Sequence, residues 1–265
     1  MKIIDLEQGS QEWLEFRKNK IGASEASIIM GVSPWCTPYQ LWEKKLGLAA
    51  ESEPTPAMLS GLDAEPAMLA EFNTVQMLDC KPVVMQCEDP ELNYVIASLD
   101  GWDAEKKVAV ELKTCGESDF NQYYYRHAVP DKYFYQLQQI MFVADIDFIF
   151  LMAKWKDRTS IFRVDRDVER LSEMLCKIKD FWECLQIFSP PEFVYNDYQI
   201  MDDNEEWKIA AKEYAKVSKL AKEFSEAEKV WRKRLLELAG ERCAEGYGVS
   251  ATKFYNQPCP CYKTL

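Results

Sequence analysis

Apolar and polar side chains alternate over residues 108–113, where Val110 and Leu112 flank Glu111 and precede Lys113. A period of two belongs to a strand with one buried face, so Val110 and Leu112 turn to a core while Glu111 and Lys113 share the other side. A similar run at residues 93–99 predicts the preceding strand, ending at Asp100-Gly101, and residues 82–87 predict another before it. Two more strands are expected at 147–153 and 160–164.

Helical spacing surrounds these runs. Residues 9–30 predict two short helices, the first carrying Trp13, Phe16 and Arg17 and the second starting near Ser24 after Gly22-Ala23. Ser33-Pro34 and Thr37-Pro38 mark a loop and a fresh start for a helix over 39–45, and residues 51–56, with two prolines, form a connector. A helix over 58–78 turns Met68, Leu69 and Phe72 inward. Proline is tolerated only near a helix start, so Pro66 moves the expected beginning of this helix later than Met58. Helices over 133–143 and 168–188 follow, the second closed by Pro190-Pro191. This order predicts an α/β (mixed α+β) domain over residues 1–198.

After Asp202 the pattern changes. Trp207, Ala210, Tyr214, Val217, Ala221, Phe224, Trp231, Leu235 and Leu238 recur at spacings of three and four, with Glu228 breaking the stripe. They predict a long amphipathic helix within 199–240, either packed along the core or projecting as an arm for self-association or a partner. Residues 241–265, punctuated by glycine and proline, read as a tail containing a β-hairpin.

Composition narrows the function classes. No apolar run approaches the roughly 20 residues that span a bilayer, and the segment from Met1 to Glu7 lacks a signal-peptide layout. Nine cysteines, odd in number and without a Cys-x-x-Cys pair, argue against a disulfide framework or a zinc or iron–sulfur site and fit free thiols in a reducing cytoplasm. The net charge of −12 opposes non-specific coating of nucleic acid, yet a basic channel inside an acidic shell remains compatible with it. A single histidine, His127, excludes mechanisms that need several and reads as a surface or packing residue.

If the strands ending at Asp100 and containing Glu111 pair as a hairpin, two carboxylates and the Lys113 ammonium converge at one sheet edge. Converging carboxylates favour a hard divalent cation, and a lysine beside it can orient or deprotonate a bound water, the chemistry of phosphodiester hydrolysis. Glu65 offers a third carboxylate for a second ion about 4 Å away, although taken alone it is an ordinary solvated helix residue. Arg17, Ser24 at an expected helix N-cap, and Ser98 on the Asp100 strand face suit a phosphate; Ser24 followed by Glu25 also reads simply as a cap. Tyr133 and Gln136, one helical turn apart, can face the same way, the glutamine toward a water or phosphate.

The order Trp13-x-x-x-Arg17, Ile21-Gly22-Ala23-Ser24-Glu25, Gly61-x-x-x-Glu65, Ser98-Leu99-Asp100-Gly101, Glu111-Leu112-Lys113 and Tyr133-x-x-Gln136-x-Gln138 resembles the YqaJ-type viral recombinase family. That family is similar to the lambda-exonuclease-like nucleases of the PD-(D/E)xK superfamily. The resemblance, from about Ser10 to Ala153, implies a restriction-endonuclease-like central mixed sheet flanked by helices. It implies Mg²⁺-dependent 5′→3′ degradation of one strand of linear duplex DNA, with Mn²⁺ as a substitute, leaving 3′ overhangs for a single-strand annealing partner in phage-type recombination. Asp100, Glu111 and the Leu112 carbonyl would then bind metal, Glu65 would complete a second ion's site, and Lys113 would activate water. Gln136 and Tyr133 would line the site, while Arg17, Ser24 and Ser98 would hold the terminal 5′-phosphate. The related toroidal enzyme implies a homotrimer. Two departures stand out: residues 114–119 lack the arginine that follows the catalytic lysine in the lambda enzyme, leaving Arg126 as a substitute, and that enzyme has no C-terminal arm. An endonuclease or resolvase of the same superfamily, or an idle DNA-end-binding scaffold for an annealing protein, are the competing readings.

Overall fold

A single parallel pairing organises the site-bearing part of the chain. The computed structural model describes residues 1–49, 55–194, 197, 201, 203–240, 242–254 and 257–264, with backbone alone from 252 onward. Six strands form one sheet in the order β1 (Lys2–Ile4), β2 (Lys81–Gln86), β3 (Ile96–Asp103), β4 (Val108–Thr114), β5 (Phe148–Trp155) and β6 (Arg158–Asp165). Every neighbouring pair is antiparallel except β4 and β5. Parallel neighbours need a crossover, and two helices supply it here, α5 (Glu117–Arg126) and α6 (Asp131–Ala144).

The sheet is a packed layer because its strands alternate. Val110 and Leu112 on β4 are buried against Met68 and Phe72 of α4 (Pro56–Gln76), with Cys80 and Met152 in the same cluster. The opposite face is covered by α6, on which Leu137, Ile140 and Met141 are wholly buried, together with α2 (Ala23–Ile29) and α7 (Val168–Gln186). Gln139 of α6, itself wholly buried, donates both its amide hydrogens, to the carbonyls of Ile21 and Ile96 at 2.9 Å each. That one side chain ties the entry to α2, the start of β3 and the crossover helix together.

Several elements depart from expectation for local reasons. The strand expected at 93–99 is β3 at Ile96–Asp103, because Pro90–Leu92 form a 3₁₀ turn capped by Asp89 and the Val95 amide closes onto Leu92. Asp100 therefore sits inside the strand and not at its end. Helix α4 begins at Pro56, capped by Thr55, and carries Pro66 in its interior. Pro66 is exposed, so the Leu62 carbonyl that loses its helical partner has access to water. Helix α5, for which the sequence pattern gave no element, is capped by Gly116 and by His127, whose left-handed backbone (φ 47°) and ring stacked on Phe162 give it a packing role. The short edge strand β1 was not expected at all. Of the connector expected at residues 51–56, residues 51–54 lie outside the described residues, and Thr55 and Pro56 belong to the start of α4.

The chain forms two compact units, Met1–Tyr198 and Gln199–Leu265. In the second part, α8 (Glu205–Ala239) is capped by Asn204 and laced by pairs such as Lys208–Glu205 and Arg232–Glu228, and none of its residues is buried. The tail forms three antiparallel strands, β7 (Ala244–Gly246), β8 (Val249–Phe254) and β9 (Gln257–Thr264), where one hairpin was expected. Among the described residues no helix is long and apolar enough to cross a membrane.

Gly101, next to Asp100, is required by packing. A Cβ there would stand 2.7 Å from both Leu69 Cδ1 and Val110 Cγ1 and 3.0 Å from the Cys80 Cβ. We predict that Gly101→Ala lowers unfolding stability in urea by about 1–3 kcal/mol through overpacking between α4 and the sheet; an unchanged midpoint would show that α4 can retreat.

Candidate active site

The β3–β4 ladder pairs Asp103 with Val108, Trp102 with Ala109 and Gly101 with Val110. One step further along this register Asp100 comes beside Glu111. There the side chain takes over from the backbone: Asp100 Oδ2 accepts the Leu112 amide at 2.8 Å. The pleat places Glu111 and Lys113 on one face, and the Lys113 ammonium donates to Glu111 Oε1 at 2.5 Å. Gln136, one turn into α6, donates to the same oxygen at 2.5 Å. Glu111 is 1% exposed and its second oxygen, Oε2, is buried without a hydrogen-bond partner among the described residues.

Glu65 reaches this group from α4. Its Gly61-x-x-x-Glu65 spacing has a physical basis, since a Cβ on Gly61 would lie 3.3 Å from Thr114 Oγ1. Lacking that atom, the helix approaches the end of β4 one turn before Glu65. Burial raises the Glu65 carboxyl above its usual range, with Lys113 pulling it down and Glu111 pushing it up, so Glu65 lies within electrostatic reach of both. Asp100 is raised well above the ordinary value, first by burial and then by Glu111; Lys113 and the Leu112 amide oppose this without cancelling it. Burial favours the neutral form of Lys113, but the charges of Glu111 and Asp100 outweigh it and hold the ammonium protonated. Lys113 in this arrangement therefore orients and donates. It becomes a base only where the carboxylates' charge is drawn elsewhere.

Tyr133 and Gln136 do share a face. The Lys113 ammonium lies 5.4 Å from the Tyr133 ring centre, and Lys132 lies 5.1 Å from the same ring. Lys132 is fixed by Asp119 of α5 at 2.6 Å. Arg126, the substitute suggested for a missing cation after Lys113, stands instead at the far end of α5, exposed on a surface cavity with Ser118, Asn121, Gln122 and Tyr125. Lys132 is the cation that the crossover brings to the site.

The phosphate group of residues is only partly assembled. Trp13 Nε1 donates to Ser98 Oγ at 3.0 Å, and the Arg17 guanidinium lies over the Trp13 ring at 4.5 Å, so Arg17 and Ser98 are joined through an indole. Ser24 is not the N-cap. Gly22 is, because Glu25 reaches back to the Gly22 amide at 2.9 Å, and Ser24 is exposed on the first turn of α2. Among the described residues no hydrogen bond joins Ser24 to Arg17 or Ser98. Two residues to which the sequence pattern gave no part in this group hold the region. Glu25, 9% exposed, pairs with Lys45 of α3 (Pro38–Lys45) at 2.8 Å and lies 3.7 Å from Arg17. Lys45 also donates to the carbonyls of Arg17 and Lys20. The capping-box spacing before Glu25 was the available signal for the first; nothing local marks Lys45.

Residues 12–147, just over half of the chain, match the model of the YqaJ-like viral recombinase domain. The chain belongs to this family. An uncharacterized protein YqaJ of Bacillus subtilis (strain 168) is 28% identical over 181 residues, covering 66% of this chain and 56% of that protein. The chain thus spans just over half the length of that curated relative. The alkaline exonuclease LHK-Exo from Laribacter hongkongensis superposes with a TM-score of 0.58 at 18% identity, over 68% of this chain and 94% of that one. LHK-Exo in complex with dAMP gives the same TM-score at 17% identity. At such identity the likeness is one of fold, and the mixed sheet with flanking helices is common to the family member described here and to that enzyme.

Crowded carboxylates destabilise the fold that holds them. A carboxyl whose folded-state pKa is raised opposes folding above its ordinary value near 4, and the penalty vanishes as pH falls to that value. Asp100→Asn leaves a neutral Glu111–Lys113 pair and keeps an oxygen for the Leu112 amide. We expect it to melt on the order of 3 °C higher than the wild type at pH 7 in chelator, with the gap shrinking toward pH 4; an equal or lower melting temperature at pH 7 would remove the case for repulsion.

Proposed function

We propose that this chain is a metal-dependent deoxyribonuclease that degrades one strand of linear duplex DNA from its 5′ end, leaving 3′ overhangs for a single-strand annealing protein in phage-type recombination. The observation that carries this reading is Glu111 itself: buried beside Lys113 on the strand next to Asp100, within electrostatic reach of Glu65, and with a second carboxylate oxygen that has no partner among the described residues. Among the described residues no three such side chains already converge on one point as metal ligands, but the donor chemistry fits a hard cation: oxygens only, mutually repelling, one of them orphaned. Asp100, Glu111 and the Leu112 carbonyl would hold Mg²⁺ (or Mn²⁺), with Glu65 serving a second ion. When bound, such ions polarise the phosphodiester and supply a nucleophilic water.

The chain's own residues do the rest. Lys113 orients the attacking water and neutralises charge on the phosphate, and Gln136 fixes the carboxylate from the other side. Tyr133 lines the entry. Arg17 offers a guanidinium fork to the terminal 5′-phosphate, with Ser98 and the exposed Ser24 as hydroxyl donors. The alkaline exonuclease activity of the structural neighbour and its dAMP complex support a deoxynucleotide product. We infer a homotrimer enclosing a basic channel as the assembly that reconciles a charge of −12 with DNA; mass in solution checks it.

Digestion of end-labelled DNA tests the reading. Mg²⁺ should support nucleotide release from linear duplex, and chelator should abolish it. Cleavage of a covalently closed circle would replace the exonuclease by an endonuclease of the same superfamily. Lys113→Ala should lose roughly 10²–10⁴ of the rate while still binding DNA; unchanged release would remove Lys113 from the chemistry, and a wild type without any release would leave a scaffold. Removing the 5′-phosphate should slow digestion at least tenfold by order of magnitude, given the strength of a charge-assisted contact. Equal rates on both ends would dissolve the Arg17 pocket.

A further inference from the structure

The loop between α2 and α3 exposes a tryptophan beside the site. Trp35 is 65% exposed, although large aromatic side chains are ordinarily withdrawn from water. It is not loosely held. The amides of Val32 and Ser33 bond to the Ser27 carbonyl, the Trp35 amide bonds to Ser33 Oγ, Cys36 is buried, and Thr37 forms the capping box of α3 with Gln40. Pro34 further stiffens the backbone just before it. The loop therefore fixes an indole in solvent at a set place.

That place is next to the catalytic group. The Trp35 ring centre lies 5.9 Å from that of Tyr133 at 42° between planes, and the Lys132 ammonium sits 5.3 Å from the indole and 5.1 Å from the phenol. Tyr133 is in turn the ring over which Lys113 lies. Two aromatic rings with a cation between them, opening to water one ring away from the phosphate-cleaving lysine, combine the two features that hold a single nucleic-acid strand: a stacking surface and a positive charge beside it.

We propose that Trp35, with Lys132 and Tyr133, forms a stacking platform for a nucleobase adjoining the scissile phosphate. The proposal rests on the nuclease reading and adds to it a contact that is indifferent to base identity, because every base has a π-face. It assigns the exposed face of Trp35 to the base and the Lys132 ammonium to the neighbouring phosphate.

The test compares 5′-phosphorylated linear duplexes that are intact or carry a tetrahydrofuran abasic residue at the first or second nucleotide of the digested strand. For the wild type, removing the base at one of these positions should slow release roughly tenfold. Trp35→Ala should be slower by a similar factor on intact duplex, chiefly through KM, and should show no further loss on the abasic one. Trp35→Phe should recover most of the rate, and equal melting temperatures should accompany all three proteins, since the indole packs little of the core. Full activity of Trp35→Ala on intact duplex, or an undiminished abasic penalty in that variant, would overturn the platform while leaving the nuclease intact. A wild type that releases nothing from any duplex with Mg²⁺ would overturn both.

Discussion

A carboxylate removed from water cannot remain charged without compensation, and Glu111 imposes that constraint on everything around it. One of its oxygens takes both a lysine and a glutamine; the other has no partner among the described residues. Lys113 comes from the same strand by the pleat, whereas Gln136 arrives only because α6 crosses from β4 to β5. The Leu112 amide is likewise drawn off the ladder to serve Asp100. Groups that would be ordinary sheet or helix surface elsewhere are thus committed to managing charge here. Replacing such a set by apolar residues is commonly neutral or stabilising, so stability alone does not account for its presence in a buried place.

The same device recurs at the other end of the site. Glu25 is buried beside Lys45, and that lysine also gathers the carbonyls at the end of α1 (Gln11–Lys18). This pairing ties together three short helices, the first of which has no buried residue of its own. It leaves Arg17 stacked on Trp13 and facing the strand that carries Ser98 and Asp100. The cluster around Glu25 and the one around Glu111 are thus separate groups of charge, joined through Trp13 to the strand that carries Ser98 and Asp100.

Much of this was legible from the chain. Period-two alternation put Glu111 and Lys113 on one face, and helical spacing found α6, α7 and α8 to within a few residues. What escaped did so for identifiable reasons. Glu25 outcompetes Ser24 for the cap because its longer side chain reaches the Gly22 amide, a choice that spacing alone does not make. The turn that starts at Asp89 runs on into Tyr94 and Val95, which suit a strand equally well and so hide where it ends. Helix α5 hides in a run of aromatics, of which Phe120 and Tyr123 face the core and Tyr124 and Tyr125 face water. Trp35 lies between two turn signals, where a large apolar side chain has no periodic neighbour to give it meaning. Contacts such as Lys45 with Glu25 join distant segments and leave no local trace.

The crossover between β4 and β5 also sets an order in time. During synthesis the hairpin bearing Asp100 and Glu111 leaves the ribosome first, and until Phe148–Trp155 follows, β4 is an open edge. An open edge leaves Glu111 hydrated, so neither the crowding of charges nor the grip of Gln136 exists yet. Long-range pairings form late because the loop must close before the contact rewards it. A nascent chain thus carries every acidic group of the cluster before it has the burial that makes their charges interact, and the cluster is complete only with the fifth strand in place.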